Sequence, residues 1–421
     1  MGAAAPPAEA AQRLFRLLVL SSDTFPPQRV DVSVLFGEEL SGRGHTIDWI
    51  LQSEAECEHA YVTSWGGGRV WVTPADRGKS LVRRLRKHIV GLLYDAKLFG
   101  LMRSGQYDAI EVKDKFLPGV LAWMAARWYR KRFVYWLSFP FPEFYLAKAR
   151  DGLAPYPLLY RVRGAAFRVL LYRMLLPAAD HVFVQSEQMR RDVAAQGVPL
   201  SKLTAVPMGI KVEPLTVPEP GTRRSRIPSG ERCFLYLGTL ARERRIDFLL
   251  RVLARVLTKL PDTKLYLVGR AELPEEETFL VEEARRLGVL SAVEFVGQLP
   301  QPDALRYVQD ADVCVSPFFP TPVLNSTSPT KLIEYMAMGK AVVANTHPEQ
   351  KVLIEASGCG YCVPYDEDAF ANVIVKLLRA PELARAMGAR GRRYVVEHRS
   401  YGIIADLVER ELRRIVAGQT T

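Results

Sequence analysis

The chain has 421 residues, of which 48% are hydrophobic and 24% are charged, and its formal net charge is +11. This composition excludes an intrinsically disordered chain, and the length predicts two or three domains. The positive charge is concentrated in residues 1–210, where 28 Lys and Arg stand against 19 Asp and Glu, so this half either meets an acidic partner or simply stays soluble.

The start of the chain and its cysteines bear on the cellular compartment. Residues 1–14 are expected to form a disordered leader, and the apolar run RLLVLSSD that follows is too short for a signal peptide. No uncharged apolar run is long enough to cross a bilayer. The five cysteines form no disulfide framework, and the CxxC of Cys359 and Cys362 is interpreted as two buried cysteines within strand sequence. A cytoplasmic protein is expected, soluble or peripheral on the inner face of the cytoplasmic membrane.

Short apolar runs alternate with helical patterns through the first half. The predicted strands are RLLVLSS, TIDWIL, RVWVTP, AIEVKD, FVYWLSF, HVFVQS and LTAVPMG. The helices predicted between them are VSVLFGEELSGRG, GVLAWMAARWYRKR and EQMRRDVAAQG. Such an alternation predicts a parallel sheet covered by helices.

Two further segments of this half combine basic and apolar residues at helical spacing. They are residues 79–104 and 160–176. Each fits a helix that lies on an anionic membrane surface, and each fits equally a core helix with a solvated basic face. The sequence leaves both interpretations open.

The second half repeats the alternation after a stretch rich in proline, glycine and charge at residues 212–232. Its predicted strands are CFLYLGTL, KLYLVGR, VEFVGQL, DVCVSPF, KAVVANT and GYCVPY. Its predicted helices are FLLRVLARVLTKL, EETFLVEEARRLG, PDALRYVQDA and DAFANVIVKLLRA. We therefore predict two doubly wound Rossmann-like domains facing a cleft, over residues 15–210 and 211–400, and a terminal helix over 401–421 that packs back on the first domain.

The stretch TSPTKLIEYMAMGK, residues 327–340, has the signals of a short helix. Ser328 is the predicted N-cap, Pro329 suits the first helical position and Gly339 ends the helix. The amides of residues 330–332 are then expected to be free at a positive helix end, which forms an anion site. Lys331 would add a full charge, and Glu334 would accept hydrogen bonds from sugar hydroxyls. An ordinary capped surface helix with a Lys–Glu pair is the alternative.

Other patterns bear on diphosphate, metal and nucleotide binding. After the strand CFLYLGTL, Gly238 permits a tight turn, and Arg242, Arg244 and Arg245 suit a diphosphate. Two DxD patterns, at residues 310–312 and 366–368, are interpreted as structural rather than as metal ligands. The sequence contains neither GxGxxG nor GxxxxGK[ST], which counts against a dehydrogenase and a P-loop enzyme.

Taken together, several stretches resemble the retaining glycosyltransferases of family 4, which have the GT-B fold. The stretches are ELSGRGHTIDWI, HVFVQSEQMRRDVAAQGV, AVPMGIKVE, YLGTLARERRIDFLL, LYLVGRA, SPTKLIEYMAMGKAVVAN and GCGYCVPYDEDAFANVIVKLL. They cover most of the chain in the order that the family has.

The resemblance implies a nucleotide-diphosphate sugar donor in the second domain and a saccharide acceptor, lipid-linked, in the first. Arg244 and Lys331 would be catalytic, because they would stabilise charge on the departing diphosphate without a metal ion or a cofactor. The donor would be bound by a further set of residues: Gly238, Thr239, Arg242, Ser328, Thr330 and Glu334. An anionic membrane surface is the expected additional partner, and nucleic acid is not expected.

The chain also departs from the family pattern. Ser326 stands where the family often has a glutamate, Ser138 stands where it often has an acceptor-side histidine, and the glycine pair of the first loop is missing from FPPQRVD. Asp114, at the end of AIEVKD, is an acceptor-side candidate along with Ser138. These departures keep two alternatives open: a sugar-nucleotide-binding protein without transferase activity, and a sugar-nucleotide epimerase.

Overall fold

Two β-sheets, each with its own hydrophobic core, organise the chain. The computed structural model describes residues 14–75, 89–211, 225–271 and 273–419. These residues divide into two units. Unit 1 contains the described residues up to Gln185 together with Met189–Val206 and everything from Ile404 onward, and unit 2 contains Ser186–Gln188 and Pro207–Ile403. The expected leader falls on residues that are not described, apart from Leu14.

Unit 1 is built on an eight-stranded sheet, counted over the described residues, with the order β3-β4-β2-β1-β5-β6-β7-β8. Its strands are β1 Arg16–Phe25, β2 Thr46–Ser53, β3 Tyr61–Trp65, β4 Gly68–Thr73, β5 Ala109–Lys113, β6 Arg132–Leu137, β7 His181–Val184 and β8 Leu203–Ala205. Neighbouring strands are parallel except for the β3–β4 pair. The seven predicted strands are all present, and β3 is an addition.

The β3–β4 hairpin was not predicted, because neither its turn nor its edge strand was recognised in the sequence. Gly66 and Gly67 have φ angles of 54° and 70°, the left-handed values that a tight hairpin turn requires. Strand β3 lies at the sheet edge with most of its side chains exposed or half-buried, so it lacks the apolar run of the central strands. Gly37 also serves this corner, because a Cβ there would lie 2.6 Å from the Trp65 ring.

The helices of the first half follow the sequence pattern only in part. They are Val30–Ser33, residues 89–95, Leu98–Arg103, Leu117–Trp128, Phe141–Arg150, Pro157–Val169, Leu176–Ala178 and Glu187–Ala195, with π-helical turns at Leu35–Leu40 and Leu170–Leu175 and a 3₁₀ turn at Leu200–Lys202. The helical segment predicted over VSVLFGEELSGRG is present, but its middle is a π-helical turn rather than an α-helix. Of the basic segment 79–104, residues 79–88 lie outside the described residues.

The last helix of the chain, Tyr401–Val416, completes unit 1 from residue 404 onward. His45 is fully buried, and its Nδ1 accepts the N–H of Phe15 at 3.3 Å. The other ring nitrogen, Nε2, therefore carries the proton that it donates to Glu409 at 2.6 Å. Val408 and Leu412 of the same helix have no exposed surface, so this helix is part of the core of unit 1.

Unit 2 is built on a parallel sheet of six strands, counted over the described residues, with the order β11-β10-β9-β12-β13-β14. Its strands are β9 Arg232–Leu237, β10 Thr263–Val268, β11 Val293–Gly297, β12 Val313–Ser316, β13 Ala341–Asn345 and β14 Gly360–Val363. All six were predicted. The strand order is the doubly wound one, and it reverses between β9 and β12, where ligands of such sheets bind beyond the strand ends.

Helices cover both faces of the second sheet. They are Asp247–Leu257, Pro274–Arg286, Gln301–Asp310, Pro322–Asn325, Thr330–Ala337, Pro348–Ser357, Glu367–Arg379 and Pro381–His398, with 3₁₀ turns at Arg242–Arg244 and Leu290–Ala292. Cys359 is buried and precedes β14, whereas Cys362 within it is only half-buried, which corrects the prediction of two buried cysteines. Neither is in a disulfide. Over the part of the chain that the structure describes, no helix has the length and apolar character needed to span a membrane.

Candidate functional site

Two glycines shape the strand ends at the point where the order of the second sheet reverses. Gly238 follows β9 with φ 144°, and Gly269 follows β10 with φ 138°. A Cβ on Gly269 would lie 2.1 Å from the carbonyl oxygen of Gly238, so only glycine fits between these loops. A Cβ on Gly238 would lie 3.3 Å from Lys331 Nζ. The turn after β9 therefore approaches the lysine closely.

Lys331 is held against aromatic rings by the helix Thr330–Ala337. Its Nζ donates a hydrogen bond to the Tyr236 hydroxyl at 2.9 Å, and lies 4.3 Å from the centre of that ring and 5.1 Å from the centre of Phe318. Burial, reinforced by the nearby charge of Arg244, lowers the pKa of Lys331 well below its ordinary value. Among the described residues, no carboxylate lies within ion-pair distance of Nζ. The site thus holds a half-buried lysine whose protonated form an incoming anion would stabilise.

The arginines of the 3₁₀ turn Arg242–Arg244 point to different neighbours. The guanidinium of Arg244 lies 6.0 Å from the centre of the Phe318 ring, the same ring that Lys331 faces. The guanidinium of Arg242 lies over Phe279, and its backbone N–H donates to Glu276. The structure therefore brings Arg244, but not Arg242, to the aromatic ring beside Lys331.

Tyr236 links the remaining parts of this site. Its hydroxyl accepts from Lys331 and donates to the carbonyl oxygen of Thr239 at 3.2 Å. The Tyr335 hydroxyl accepts the N–H of Leu237 at 2.7 Å, which ties the helix to the end of β9. Both tyrosines are fully buried, so the lysine, the turn and the helix form one rigid unit.

The predicted cap of the helix is wrong. Ser328 does not cap it: the helix begins at Thr330, the N-cap position is Pro329, and no side chain caps the end. The amides of Thr330 and Leu332 are not free either, because they donate to the carbonyl oxygens of Ser328 and Pro329. The backbone N–H of Lys331 is the one of the three without a partner among the described residues.

Ser328 has a different task. Its hydroxyl accepts the N–H of Met208 at 3.0 Å and donates to Glu349 at 3.1 Å. Glu349 is also paired with Arg399 at 3.0 Å, and burial raises the pKa of this carboxyl despite that pair. Ser328 therefore anchors the loop that precedes the helix, a role that the capping pattern concealed.

Glu334 lies on the same helix as Lys331 and is half-buried. Its carboxylate accepts a hydrogen bond from the Gln301 amide at 2.9 Å, and burial raises its pKa.

The carboxylates of the two DxD patterns make structural hydrogen bonds. Asp310 accepts the N–H of Arg226, Asp312 accepts that of Cys233, and Asp366 caps the helix Glu367–Arg379. Within the described residues, no group of three or more His, Cys, Asp or Glu side chains is placed to hold a metal ion.

In unit 1, Asp114 and Ser138 come together at the ends of β5 and β6. Asp114 has φ 56°, and its carboxylate accepts hydrogen bonds from both the N–H and the hydroxyl of Ser138. Burial raises the pKa of Asp114, against the opposing effect of Lys113. The two predicted acceptor-side residues thus form one hydrogen-bonded pair.

Sequence reasoning missed a cluster of charges beside this pair. Lys113 is 1% exposed and pairs with Asp23 at 2.8 Å and Asp31 at 3.2 Å. Arg29 binds the Asp31 carboxylate with two hydrogen bonds of 2.9 Å. Although burial acts to raise the pKa of Asp31, Lys113 and Arg29 lower it to about 2. The signal was available in FPPQRVD, whose charges follow the first strand.

Comparisons with known proteins bear on the family of the chain. A family model described as glycosyl transferases group 1 matches residues 231–380, and a glycosyl transferase 4-like domain matches residues 34–209. A GDP-mannose-dependent alpha-(1-6)-phosphatidylinositol monomannoside mannosyltransferase of Mycolicibacterium smegmatis is 28% identical over 52% of the chain. A D-inositol 3-phosphate glycosyltransferase of Thermobifida fusca is 24% identical over 68% of it. The matches span 58% and 65% of the lengths of these relatives.

Solved structures show the fold. Sucrose-phosphate synthase from Thermosynechococcus elongatus superposes with a TM-score of 0.71 at 20% identity, covering 96% of this chain and 100% of that one. A UDP-forming alpha,alpha-trehalose-phosphate synthase from Burkholderia vietnamiensis gives 0.68 at 14% identity, covering 94% and 99%. With two parallel α/β sheets and a family model matched on each half, the chain belongs to the group 1, family 4-like glycosyltransferases of the GT-B fold.

Proposed function

We propose that the protein is a retaining glycosyltransferase that moves a hexosyl group from a nucleotide-diphosphate sugar to a saccharide acceptor without a metal ion. The observation that carries this proposal is Lys331: a half-buried lysine that shares the Phe318 ring with Arg244, at the switch point of the second sheet. A diphosphate is the anion that two such cations suit, because both its phosphoryl groups need neutralising. The family to which the chain belongs supports transfer as the reaction.

The chemistry follows from where charge develops. As the bond between the anomeric carbon and the diphosphate breaks, negative charge builds on the leaving oxygen, and the sugar gains oxocarbenium character. Lys331 Nζ, its unpartnered N–H and the Arg244 guanidinium stabilise that leaving group, and they do so without moving because Tyr236 and Phe318 fix the lysine. The acceptor hydroxyl attacks on the face from which the diphosphate leaves, which retains the configuration.

The residues of the candidate site constrain the identity of the acceptor less than that of the donor. We propose a lipid-linked saccharide in polysaccharide or glycolipid assembly, with the Asp114–Ser138 pair on the acceptor side. Support for a lipid-linked acceptor comes from the name of one relative, which acts on phosphatidylinositol monomannoside, whereas the name of the other gives D-inositol 3-phosphate, which carries no lipid.

A binding protein that does not transfer sugar is the second candidate. It is favoured by Ser326 and Ser138, each of which replaces an ionisable or basic side chain that the family pattern has at that position. A screen of nucleotide sugars by thermal shift, followed by measurement of nucleotide diphosphate release with the best binder, separates the two. Binding with turnover supports the transferase, and binding without hydrolysis or transfer supports the second candidate. If no nucleotide sugar binds, both are wrong.

A further inference from the structure

One helix of unit 1 presents its apolar side to solvent. In the helix Pro157–Val169, Leu158 is 76% exposed, Val162 is 59% exposed and Val169 is 62% exposed. These residues share one helical face. The opposite face is the one that packs: Gly164 is buried, and a Cβ there would lie 2.8 Å from the side chain of Leu146. The helix therefore presents an apolar face to solvent, whereas an ordinary surface helix presents a polar face.

A second helix of this unit repeats the arrangement. In Leu117–Trp128, Leu117 is 55% exposed, Met124 is 50% exposed and Trp128 is 80% exposed, again on one face. The buried face of this helix consists of small residues, which are Gly119, Ala122, Ala125 and Ala126. Val120, Leu121 and Trp123 pack partly against the core. The outward stripe of large apolar side chains is nevertheless an exposed apolar patch, which a monomeric soluble protein has no stability reason to keep.

The two helices belong to one layer of unit 1. The rings of Phe116, just before one helix, and Phe167, within the other, stack with centroids 4.4 Å apart. Both helices border the same hydrophobic core on one face of the sheet. Of the eighteen large apolar side chains that are exposed among the described residues, eleven lie between Ile89 and Val169. We call the two exposed faces together the apolar face.

Arginines border this apolar face. Arg161 and Arg168 lie on one flank of the stripe Leu158–Val169, and Arg163 lies on the other, where it stacks on Tyr145 and Phe167. No acidic residue occurs from Pro157 to Ala179. A groove of about 470 Å³ beside Val169 is lined by Arg168 and Arg173. Basic side chains that border an exposed apolar stripe suit the boundary between anionic headgroups and acyl chains.

We propose that the apolar face is a docking surface for an anionic lipid bilayer, with Trp128, Leu158 and Val162 inserted at the headgroup level. A bilayer is favoured over a protein partner because, among the described residues, Arg161, Arg163 and Arg173 have no carboxylate within ion-pair distance, whereas Arg168 lies 3.9 Å from Glu143. An interfacial tryptophan and two apolar stripes also suit an extended flat surface. The inference rests on the proposed function only where it would bring a lipid-linked acceptor to unit 1. Vesicle binding itself is measured without turnover, so it can be tested independently of sugar transfer.

The experiment is co-sedimentation of the full chain with vesicles of phosphatidylcholine alone and of phosphatidylcholine with phosphatidylglycerol. We expect binding to the anionic vesicles, release at high salt, and a loss of about tenfold in the partition constant for the double variant Leu158→Gln/Val162→Gln. Arg161→Gln should weaken binding about fivefold. The matched control is Leu273→Gln/Val352→Gln, which changes two residues that are each 59% exposed in unit 2 and should bind like the parent.

Tryptophan fluorescence gives a second readout. Trp128 is 80% exposed, so its emission should shift to shorter wavelength on anionic vesicles and be quenched by lipids brominated on their acyl chains. Trp128→Phe should lose both changes. Lys331→Met should keep vesicle binding, so a failed donor site and a failed docking surface are told apart. Equal binding of the double variant and its control would overturn the proposal. So would a dimer in light scattering that the double variant converts to monomer, since the apolar face would then be a protein interface.

Discussion

Replacing Lys331 with methionine tests the donor site most directly. Methionine keeps an apolar stem of similar length against Tyr236 and Phe318 but removes the charge and the 2.9 Å hydrogen bond. One charge-assisted contact to a leaving group contributes about 2–4 kcal/mol to the transition state, or a fall of roughly 30- to 1,000-fold in kcat/KM. Because the charge acts as the diphosphate departs, kcat should fall along with kcat/KM. The assay is release of nucleotide diphosphate from the donor.

Stability should move in the opposite direction. Because the folded-state pKa of Lys331 lies below its unfolded value, this lysine disfavours the folded state at neutral pH, and the cost vanishes only as the pH rises above the unfolded pKa. Lys331→Met should therefore unfold at an equal or higher temperature than the parent at pH 7. Lys340→Met serves as the control, since its Nζ bonds only the carbonyl oxygen of Ala311 in the described chain and should leave turnover unchanged. A variant that loses both activity and stability, or that keeps a normal kcat/KM, would refute the reasoning.

Three further results are expected. Gly269→Ala should lower the free energy of unfolding, measured by urea denaturation, by more than ~2 kcal/mol, because its Cβ would meet backbone at 2.1 Å; an unchanged free energy would contradict the close approach. Transfer should continue in EDTA, and activity that EDTA abolishes and Mg²⁺ restores would mean that Asp310 and Asp312 had been misread. Glu409→Gln should destabilise the protein at pH 7. His45 and Arg43 outweigh burial and lower the pKa of Glu409, so this stabilisation is present above the ordinary carboxyl pKa and is lost as the pH falls through the folded value; the deficit in the urea midpoint should therefore shrink in acid.

The periodicity of the sequence was sufficient for the core of the fold. Buried parallel strands need continuous apolar runs, and each such run, from RLLVLSS to GYCVPY, became a strand. Elements that satisfy other constraints were harder to see. The edge strand Tyr61–Trp65 has few buried residues, and the π-helical turn Leu35–Leu40 has the composition of an ordinary helix.

The position of the candidate donor residues was predictable as far as it depends on residue type and strand order. Lys331 and Gly238 lie close together because the strand order places their elements side by side. A sequence pattern can predict that strand order. The partner of Ser328 was not predictable, since Glu349 is 21 residues away and the capping pattern was locally complete. Likewise, Asp23 and Lys113 are 90 residues apart, so their ion pair depends on strand adjacency that composition does not contain.

The chain passes from unit 1 to unit 2 after Val206 and returns after Ile403, and this has a consequence for anyone who wishes to study unit 1 by itself. A fragment that stops at residue 206 would lack Glu409, Val408 and Leu412, and would leave His45 buried without its acceptor. Such a fragment would expose a cavity lined by apolar side chains and is expected to aggregate. A useful fragment would instead join residues 14–206 to residues 404–419 through a short glycine-rich linker. The last helix would then pack against the core of unit 1 as it does in the full chain.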